Sequence, residues 1–466
     1  MVTKKRAAFH TLGCKVNQYE TEALIEQFRR AGFEIVGEDQ TADAYIINTC
    51  TVTNLADRKS RQFIRRARKK NSEAVIAVTG CYAQVKPEEI SSIEGVEIVC
   101  GTDEKKELLH LVEERLVEKD KEDLENIPDV KVLPHDELTQ YEELGHIRGM
   151  GSRSRAFIKI QDGCDNYCTY CLIPYARGRI RSRAEKDIIE EVQRLTDAGF
   201  AEIVLTGINT AYYGRENASA GGGLEPLLAK LNDLSGDFRI RLSSLEPTMI
   251  DAAYVKRLLP FDRLCHHLHL ALQSGSDRVL TEMHRRYTMK EYREILDVLR
   301  DFDPEYGVST DIIVGFPGET ERDFQESVKI VREARFCKTH VFPYSPREGT
   351  AASLRTDQIP GTVKHERSKI LLEEADQAEQ DFLRSCTGSF RDVLIEKTPE
   401  DPVTGEDQGI FEDEKMTAEK DGEKAFSEGY TDNYIKTLIY GSAETGTIRK
   451  VRLNGVMDGG MRGELV

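Results

Sequence analysis

Short apolar runs alternate with segments of helical periodicity through the first part of the chain. Apolar positions recur every three or four residues over 21–31 and 55–70, which predicts two amphipathic helices. Strand-like apolar runs lie at residues 7–10, 44–48, 74–78 and 96–99. Strands separated by helices at such intervals are typical of βαβ units, so we expect a parallel sheet over residues 1–130.

A second series of strand-like runs begins after residue 150. Helical patterns separate six of these runs, at residues 155–161, 202–205, 239–242, 268–272, 309–314 and 339–342. Six βα-like repeats predict an open, partial barrel over residues 150–380, with residues 131–149 as the linker before it. In barrel folds the chemistry lies at the carboxyl ends of the strands, and polar residues collect there in this sequence.

The C-terminal pattern is different. Short strand-like runs at 388–397, 434–440 and 446–453 lie between glycine-containing and acidic turns, which predicts a small antiparallel β-barrel over residues 383–454. Residues 397–424 form an insert with ten acidic residues against four basic ones. We expect the tail after residue 454 to be mobile. The fold class predicted for the whole chain is α/β, with a parallel-sheet domain, a partial (β/α)6 barrel and a small β-barrel.

Composition narrows the class of protein. The chain has 466 residues, a net charge of −17 and a hydrophobic content of 39%. So acidic a chain is not a general nucleic-acid coat protein, although this does not exclude a local basic surface. No apolar run approaches the ~18 residues of a membrane span and no signal peptide is evident, so we expect a cytoplasmic protein without a membrane partner. Ten cysteines in such a protein indicate metal or redox chemistry.

Three cysteines lie close together just after the first strand of the predicted barrel. Cys164, Cys168 and Cys171 have the spacing C-x3-C-x2-C. A structural zinc site needs four protein ligands, whereas three thiolates on a four-iron cluster leave one iron free to bind a small molecule. The alternatives are a zinc knuckle with a distant fourth ligand and three unrelated core thiols.

Three more cysteines each follow a strand of the first domain. Cys14, Cys50 and Cys81 stand just past the carboxyl ends of the first, second and third predicted strands. Those ends share one edge of a parallel sheet, where ligands bind, so a second three-thiolate site is predicted there. The alternative is that each cysteine ends a buried strand as a small apolar residue. For Cys100, which follows the fourth strand, we favour packing over a role as a further ligand.

Two basic segments are candidates for phosphate contact. Residues 58–70 include eight basic residues among thirteen, on the helix after Cys50. A solvated charged helix face is the alternative to a phosphate-binding surface. Arginines also alternate along residues 177–183, where structural salt bridges compete with contact to RNA phosphates or a ligand carboxylate. The residues predicted to contact RNA are Arg58, Arg61, Arg65, Arg66, Arg177 and Arg179.

The cysteine motifs resemble a known enzyme family. The order Cys-x3-Cys-Thr-Tyr-Cys resembles the radical S-adenosylmethionine (SAM) signature, and the six-strand partial barrel is the fold of that superfamily. Residues 11–22, 48–53 and 79–83 resemble the N-terminal domain of the methylthiotransferases. Within this family, Gly-Cys-Lys-Val-Asn-Gln-Tyr-Glu at 13–20 is similar to the branch that acts on N6-threonylcarbamoyladenosine in tRNA. The C-terminal strands resemble the TRAM domain, an RNA-binding β-barrel.

This resemblance implies the cofactors, the reaction and the partners. It implies two [4Fe–4S] clusters and SAM: the cluster on Cys164, Cys168 and Cys171 would generate a radical from SAM, and Cys14, Cys50 and Cys81 would hold an auxiliary cluster with the sulfur to be transferred. The reaction would give the 2-methylthio derivative of N6-threonylcarbamoyladenosine at position 37. The partners would be the tRNA anticodon loop, an electron donor and a sulfur donor, and we expect a monomer. The residues implied to contact SAM are Tyr170, Asn209, Glu246, Gln273, Ser274 and Gly315.

One motif of the family is missing. Many relatives carry a Gly-Gly-Glu near Asn209 that holds the methionine amino group of SAM, and this motif is absent here.

Other functions fit parts of the pattern. Within the family, the substrate could be another tRNA adenosine or a ribosomal-protein aspartate. Outside it, an iron–sulfur protein that binds RNA or senses redox state without radical chemistry would need no SAM pocket.

Overall fold

A computed structural model of the protein describes residues 4–119, 127–145, 147, 154–216, 222–398 and 426–466. The strands of the first domain are β1 (Arg6–Thr11), β2 (Glu34–Val36), β3 (Ala44–Thr49), β4 (Val75–Gly80), β5 (Ile98–Cys100) and β6 (Asp129–Lys131). They form one six-stranded parallel sheet of order β2-β1-β3-β4-β5-β6. The parallel sheet is as predicted, and the two edge strands β2 and β6 are additional to the four expected.

Helices cover both faces of this sheet. They are α1 (Lys15–Arg30), α2 (Asn54–Lys70), α3 (Cys81–Val85), α4 (Pro87–Ser91) and α5 (Leu108–Lys119). Phe63 and Ile64 of α2 pack on one face, and Leu24 and Phe28 of α1 pack on the other. Helix α1 begins six residues earlier than its apolar pattern predicts, directly after Cys14. The first polar turns of the helix therefore lie at the sheet edge, where they are available to a site.

The second domain is an open barrel of parallel strands. Its strands are β7 (Arg155–Lys159), followed after a separate antiparallel pair, β8 (Gln161–Asp162) and β9 (Arg181–Ser182), by β10 (Glu202–Thr206), β11 (Arg239–Leu242), β12 (Ser244–Leu245), β13 (His267–Leu270), β14 (Gly307–Val314) and β15 (Lys338–Pro343). Two sheets, β11-β10-β7 and β12-β13-β14-β15, are joined by a bridge between Ile240 and Leu264. The six expected strands are present in the expected order, and the barrel is not closed between β7 and β15 among the described residues.

Helices pack around the outside of this barrel. Helix α6 (Ile173–Arg177) lies at the junction with the first domain, and the outer helices are α7 (Glu185–Asp197), α8 (Leu224–Asn232), α9 (Ala252–Leu258), α10 (Asp277–Glu282), α11 (Met289–Phe302), α12 (Glu321–Ala334) and α13 (Gly361–Ser385). Alternate strand residues such as Ile158, Leu205 and Val308 are buried with the helices in one hydrophobic core. The intervening residues of each strand therefore face the barrel interior.

The C-terminal domain is a closed five-stranded barrel. Its strands are β16 (Phe390–Lys397), β17 (Phe426–Thr431), β18 (Lys436–Tyr440), β19 (Ile448–Met457) and β20 (Gly460–Leu465). The prediction of a mobile tail after residue 454 is wrong, because β19 runs to Met457 and β20 pairs with both β18 and β19 to close the barrel. The domain therefore ends near residue 465, and most of the acidic insert 397–424 lies outside the described residues.

This small barrel covers the amino-terminal ends of the strands of the open barrel. Arg239, the first residue of β11, donates to the Asp392 carbonyl at 2.8 Å, and Arg241 donates to the Thr431 carbonyl at 3.0 Å. The opposite, carboxyl ends of the strands are left to the first domain and the cysteine loop. Among the helices of the described ranges, none is both long and apolar enough to cross a membrane.

Candidate iron–sulfur active site

The loop after β8 brings Cys164, Cys168 and Cys171 near one another. Burial and, after it, the neighbouring Cys168 thiol raise the pKa of Cys171 to about 12. Burial also raises the pKa of Cys164, with the thiols of Cys171 and Cys168 contributing in the same direction. The mutual effect of the thiols on these pKa values reflects how close together the three cysteines lie in this loop.

The loop reverses direction at a position that only glycine fits. Gly163 has a φ of +72°, and a Cβ placed on it would lie 1.8 Å from the Arg179 carbonyl oxygen. The Cys164 amide donates to the Gly178 carbonyl at 3.0 Å, which ties the start of the cysteine loop to its end. Backbone contacts thus hold the start of the cysteine loop against its end.

The second triad forms at the edge of the first domain, where the loops after β1, β3 and β4 meet. Cys14 precedes α1 and is exposed, whereas Cys50 and Cys81 are buried. Burial raises the pKa of Cys50 to about 12, and the thiols of Cys81 and Cys14 add to this effect. A Cβ on Gly13 would lie 2.8 Å from the Cys50 Cβ, so glycine at 13 lets two of these loops approach each other closely. The predicted convergence of these three cysteines is therefore present.

Neither triad is arranged around a single ion. Over the described part of the chain, no three His, Cys, Asp or Glu side chains are grouped so that they could hold one metal ion. A structural zinc site needs four protein ligands, and each triad offers three cysteines. Three neighbouring thiols match the ligand set of an iron–sulfur cluster that keeps one iron free, as the sequence predicts.

Cys100 lies apart from the triad at the same sheet edge. It is fully buried at the end of β5, in the core formed with Leu108 and Val112. Burial raises the pKa of its thiol to about 12, with Glu104 as the next cause. This supports a packing role for Cys100.

The prediction of RNA contact at Arg177 is wrong, because the side chain is completely buried between the two domains. Its Nε donates to the Cys81 Sγ at 3.3 Å, and its Nη1 contacts Glu20 Oε1 at 2.7 Å and Asp162 Oδ2 at 2.9 Å. Its Nη2 donates to Asn17 Oδ1 at 2.6 Å. Arg177 therefore joins a cysteine of one triad to the strand that leads into the other.

Arg177 is the centre of a buried network of charges. Lys159 contacts both Glu20 and Asp162, at 2.7 Å and 2.6 Å, and Lys105 contacts Glu20 at 3.3 Å. Burial alone would raise the pKa of Glu20, but Arg177, Lys105 and Lys159 together hold it well below its usual range. Buried charges that are paired in this way fix the geometry of the two domains at the cysteines.

Other contacts place the first domain over the carboxyl ends of the barrel strands. Arg347, which follows β15, donates to Thr51 Oγ1 at 2.7 Å and contacts Asp57 Oδ2 at 2.6 Å. Thr102 donates to the Ala176 carbonyl at 2.8 Å. The two triads consequently face one interdomain junction, which a reaction that uses both requires.

The predicted SAM residues lie around this junction on the barrel side. Asn209 follows β10 and accepts hydrogen bonds from the amides of Ala211 and Glu246 through Oδ1, while its Nδ2 is buried without a partner in the described structure. The Ser243 hydroxyl is likewise buried and unpaired there. Orphaned polar groups at strand ends fit a polar ligand, because buried donors and acceptors are otherwise costly.

The remaining residues predicted to contact SAM differ in their contacts, backbone conformation and packing. Glu246 pairs with Asn166 and Arg285, and Thr248 donates to it at 3.0 Å. Gln273 has a left-handed φ of +68°, which strains a non-glycine residue at a strand end. The position of Gly315 is dictated by packing, since a Cβ there would lie 2.2 Å from Lys364 Cγ. Ser274 is fully buried and its hydroxyl accepts from the Ser276 amide at 3.2 Å. Contact of these residues with SAM stays a prediction.

Tyr170 and Arg285 form a buried pair beside the cysteine loop. Arg285 donates to the Tyr170 hydroxyl at 2.9 Å, and its Nε is buried without a partner in the described ranges. Burial raises the pKa of Tyr170 well above its usual value. Sequence reasoning missed Arg285 and Arg347, because neither belongs to a cysteine motif or a basic run.

The arginines of the basic helix α2 form two groups, one with and one without ion-pair partners among the described residues. Arg61 contacts Tyr82 and Glu89, and Arg66 contacts Asp39. Arg58 and Arg65 are exposed and have no ion pair with any described residue. Being seven residues apart, they lie on one face of the helix. Arg179 is also exposed, unlike Arg177, Arg181 and Arg183 of the same segment.

Comparison with protein families gives two matches. Residues 6–101 match "Uncharacterized protein family UPF0004", and residues 158–331 match the radical SAM superfamily. The two matches cover most of the first domain, from β1 to β5, and most of the open barrel. They include all six cysteines of the two triads.

Curated relatives match the chain along most of its length. The chain is 42% identical to the threonylcarbamoyladenosine tRNA methylthiotransferase MtaB of Bacillus subtilis, over 96% of this chain and 93% of that protein. It is 39% identical to the MtaB of Thermotoga maritima, over 84% of this chain and 87% of that protein. It is 31% identical to a tRNA-2-methylthio-N(6)-dimethylallyladenosine synthase of Protochlamydia amoebophila, over 100% of this chain and 97% of that protein.

Solved structures share the fold at low sequence identity. The radical SAM methyltransferase TsrM of Kitasatospora setae, solved with cobalamin and a [4Fe–4S] cluster, has a TM-score of 0.55 and 14% identity. The match covers 76% of this chain and 74% of that one. This likeness supports the arrangement of an α/β domain with a radical SAM barrel.

Proposed function

The chain belongs to the radical SAM tRNA methylthiotransferases, and from this premise we propose that it converts N6-threonylcarbamoyladenosine at position 37 of tRNA to its 2-methylthio derivative. The observation that carries the proposal is the pair of cysteine triads that face one interdomain junction. A protein that only sensed redox state would need one cluster and no polar ligand site at the strand ends. The buried Asn209 Nδ2 and Ser243 hydroxyl, which have no partner among the described residues at the strand ends, support a bound SAM.

The substrate branch rests on a graded similarity. Relatives named for threonylcarbamoyladenosine are 33–42% identical to the chain, and relatives named for dimethylallyladenosine are 31–36% identical. The highest identities, 38–42%, belong to the first group. Residues 13–20 carry the segment that resembles the first branch. Together these support the threonylcarbamoylated base over the dimethylallylated base and over a ribosomal-protein aspartate.

When bound, two [4Fe–4S] clusters and SAM supply the radical chemistry that replaces the C–H bond at C2 of the base with C–S–CH3. Cys164, Cys168 and Cys171 would hold one cluster, and Cys14, Cys50 and Cys81 the other. The protein's own part is to bind and orient these groups. Arg177 donates to Cys81 and, through its contacts with Glu20 and Asp162, joins the two cluster loops.

Analysis of the tRNA nucleosides from cells that lack this protein tests the proposal. We expect their tRNA to retain N6-threonylcarbamoyladenosine at position 37 and to lose the 2-methylthio group, as measured by mass spectrometry of digested tRNA. Restoring the gene should restore the modification. Unchanged 2-methylthio-threonylcarbamoyladenosine, or loss of the 2-methylthio group from dimethylallyladenosine instead, would show that the substrate is a different one.

We propose that the exposed face of α2 contacts the phosphates of the tRNA. Arg58 and Arg65 support this, because they project from the helix that begins at the cluster edge and have no ion pair with a described residue. Arg179 is exposed near the same junction. Arg61 and Arg66 already have acidic partners and contribute less.

Replacing both Arg58 and Arg65 by glutamate should weaken tRNA binding about 10- to 100-fold at low salt, because each arginine that neutralises a phosphate releases counterions. The slope of log Kd against log salt should fall by roughly two, one for each lost contact. Fluorescence anisotropy with labelled tRNA at several salt concentrations measures both. The matched control is the pair Arg322→Glu and Lys329→Glu on the outer helix α12, which should change binding little; an equal loss there would mean that only net charge matters.

We also propose partners for the C-terminal barrel and for the two clusters. The TRAM-like C-terminal barrel would bind RNA, and an electron donor and a sulfur donor would serve the two clusters. We expect the protein to act as a monomer in the cytoplasm.

A further inference from the structure

Lys15 is the residue directly after the cluster cysteine Cys14, and its side chain extends into the open barrel. Its Nζ lies 6.0 Å from the centre of the Phe157 ring. Phe157 stands between Ala156 and Ile158, which are buried among the outer helices, so its ring faces the barrel interior. The positive charge of Lys15 also interacts electrostatically with His267 and His340, which face the same interior. The Lys15 ammonium group therefore lies inside the open barrel, below the edge of the first-domain sheet.

This ammonium group has no counter-ion among the described residues. Lys15 is half-buried and forms neither an ion pair nor a hydrogen bond with them. The charged groups that face it are Arg155 and Arg241, which repel it, and Glu202, which attracts it. Glu202 is already bound by Arg239 at 2.7 Å and by Arg241 at 2.9 Å. Arg155 is in turn paired with Glu396 at 2.5 Å. Lys15 is therefore the cation of this group that has no ion-pair partner among the described residues, and a partly desolvated cation favours an anionic ligand.

The barrel is open beside Lys15, so that a ligand can reach it. Inward-facing residues of the last two strands are accessible: His340 and Phe342 of β15 are exposed, and Asp311 of β14 is half-buried. Asp311 would repel an anion, but His269 Nε2 holds its carboxylate at 3.2 Å. His269 Nδ1 and His267 Nε2 meet the Ser309 hydroxyl at 3.0 Å and 2.9 Å, and line the same wall with polar groups.

We propose that Lys15 is the counter-ion of a carboxylate on the substrate, and that this cleft of the barrel takes the anionic, amino-acid-like substituent of the target base. The inference rests on the proposed function and deepens it. An uncharged isopentenyl group in the cleft would cover the ammonium without neutralising it, which is unfavourable. Lys15 therefore selects against apolar substituents as well as for anionic ones. Its position next to Cys14 places this selection beside the auxiliary cluster.

The test measures binding of anticodon stem-loop RNA to the cluster-loaded enzyme by fluorescence anisotropy. Three RNAs are compared, with N6-threonylcarbamoyladenosine, its threonyl methyl ester or unmodified adenosine at position 37. Wild-type enzyme should bind the free acid about ten- to a hundred-fold more tightly than the ester, as expected for a charge-assisted contact. Lys15→Gln should lose this preference while its affinity for unmodified RNA is kept, and Lys15→Arg should retain most of it. Lys290→Gln, on the outer face of α11, is the matched control and should behave as wild type.

The outcomes separate this inference from the proposed function. If wild-type enzyme methylthiolates the threonylcarbamoylated RNA but Lys15→Gln still prefers the acid over the ester, the assignment of Lys15 is wrong and the proposed function stands. An equal affinity of wild-type enzyme for acid and ester overturns the carboxylate site without any variant. If wild-type enzyme does not modify the threonylcarbamoylated RNA at all, the proposed function fails first.

Discussion

Cys164→Ala should abolish the formation of 5′-deoxyadenosine from SAM, whereas Cys81→Ala should leave that formation largely intact and abolish methylthiolation. The reason is that the two triads hold different clusters, one in the cysteine loop of the barrel and one at the sheet edge. Each variant should retain roughly half of the iron of the wild-type protein, because each keeps one complete triad. Iron analysis, chromatography of the nucleosides and mass spectrometry of the RNA measure the three quantities.

Cys100→Ala is the matched control for both variants. Cys100 is a buried cysteine at the same sheet edge as the auxiliary triad, and it packs with Leu108 and Val112. Its replacement should keep the iron content and both activities, at the cost of a modest loss of stability. If Cys100→Ala loses as much iron as Cys81→Ala, Cys100 is a ligand and the assignment of the auxiliary triad is wrong.

Arg177→Met should destabilise the junction of the two domains by about 3–5 kcal/mol, since removal of one partner of a buried ion pair leaves the others uncompensated. The charges affected most directly are Glu20 and Asp162, which Arg177 contacts at 2.7 Å and 2.9 Å. We expect the first thermal transition to fall by roughly 5–10 °C. The reduction potential of the auxiliary cluster should also change, because Arg177 donates to the Cys81 sulfur.

The adjacent exposed arginine supplies the control for this variant. Arg179→Met should change stability by less than about 0.5 kcal/mol, as is usual for an exposed residue without buried partners. Differential scanning calorimetry and a potential titration followed by electron paramagnetic resonance compare the two proteins. A thermal transition of Arg177→Met equal to that of Arg179→Met would contradict the role given to Arg177.

The cysteine positions were accessible to sequence reasoning because they depend on spacing and topology. Cys164, Cys168 and Cys171 are neighbours in one loop, and a parallel sheet gathers the residues that follow its strands. The edge strands Glu34–Val36 and Asp129–Lys131 were not accessible, since three residues with charged members carry no clear alternation. The final strand, Gly460–Leu465, contains two glycines and charged residues, and it is stabilised by pairing in the closed barrel.

The arginines show why individual roles are harder to predict than sites. Arg177 and Arg179 are two residues apart in one alternating segment, yet the first is buried against Glu20 and the second is exposed. The partner of Arg177 comes from a helix more than 150 residues earlier, which no local pattern indicates. Lys15 is similar, because its isolation depends on side chains of three separate barrel strands.

The most direct test of the central claim is the reaction itself. Reconstituted, reduced protein is mixed with SAM and an anticodon stem-loop that carries N6-threonylcarbamoyladenosine at position 37, and the RNA nucleosides and 5′-deoxyadenosine are measured together. We predict that both 5′-deoxyadenosine and the 2-methylthio derivative of the base are formed, and that neither is formed by Cys164→Ala. With both clusters intact, the absence of 5′-deoxyadenosine, or its formation without methylthiolation of this base, would contradict the proposal.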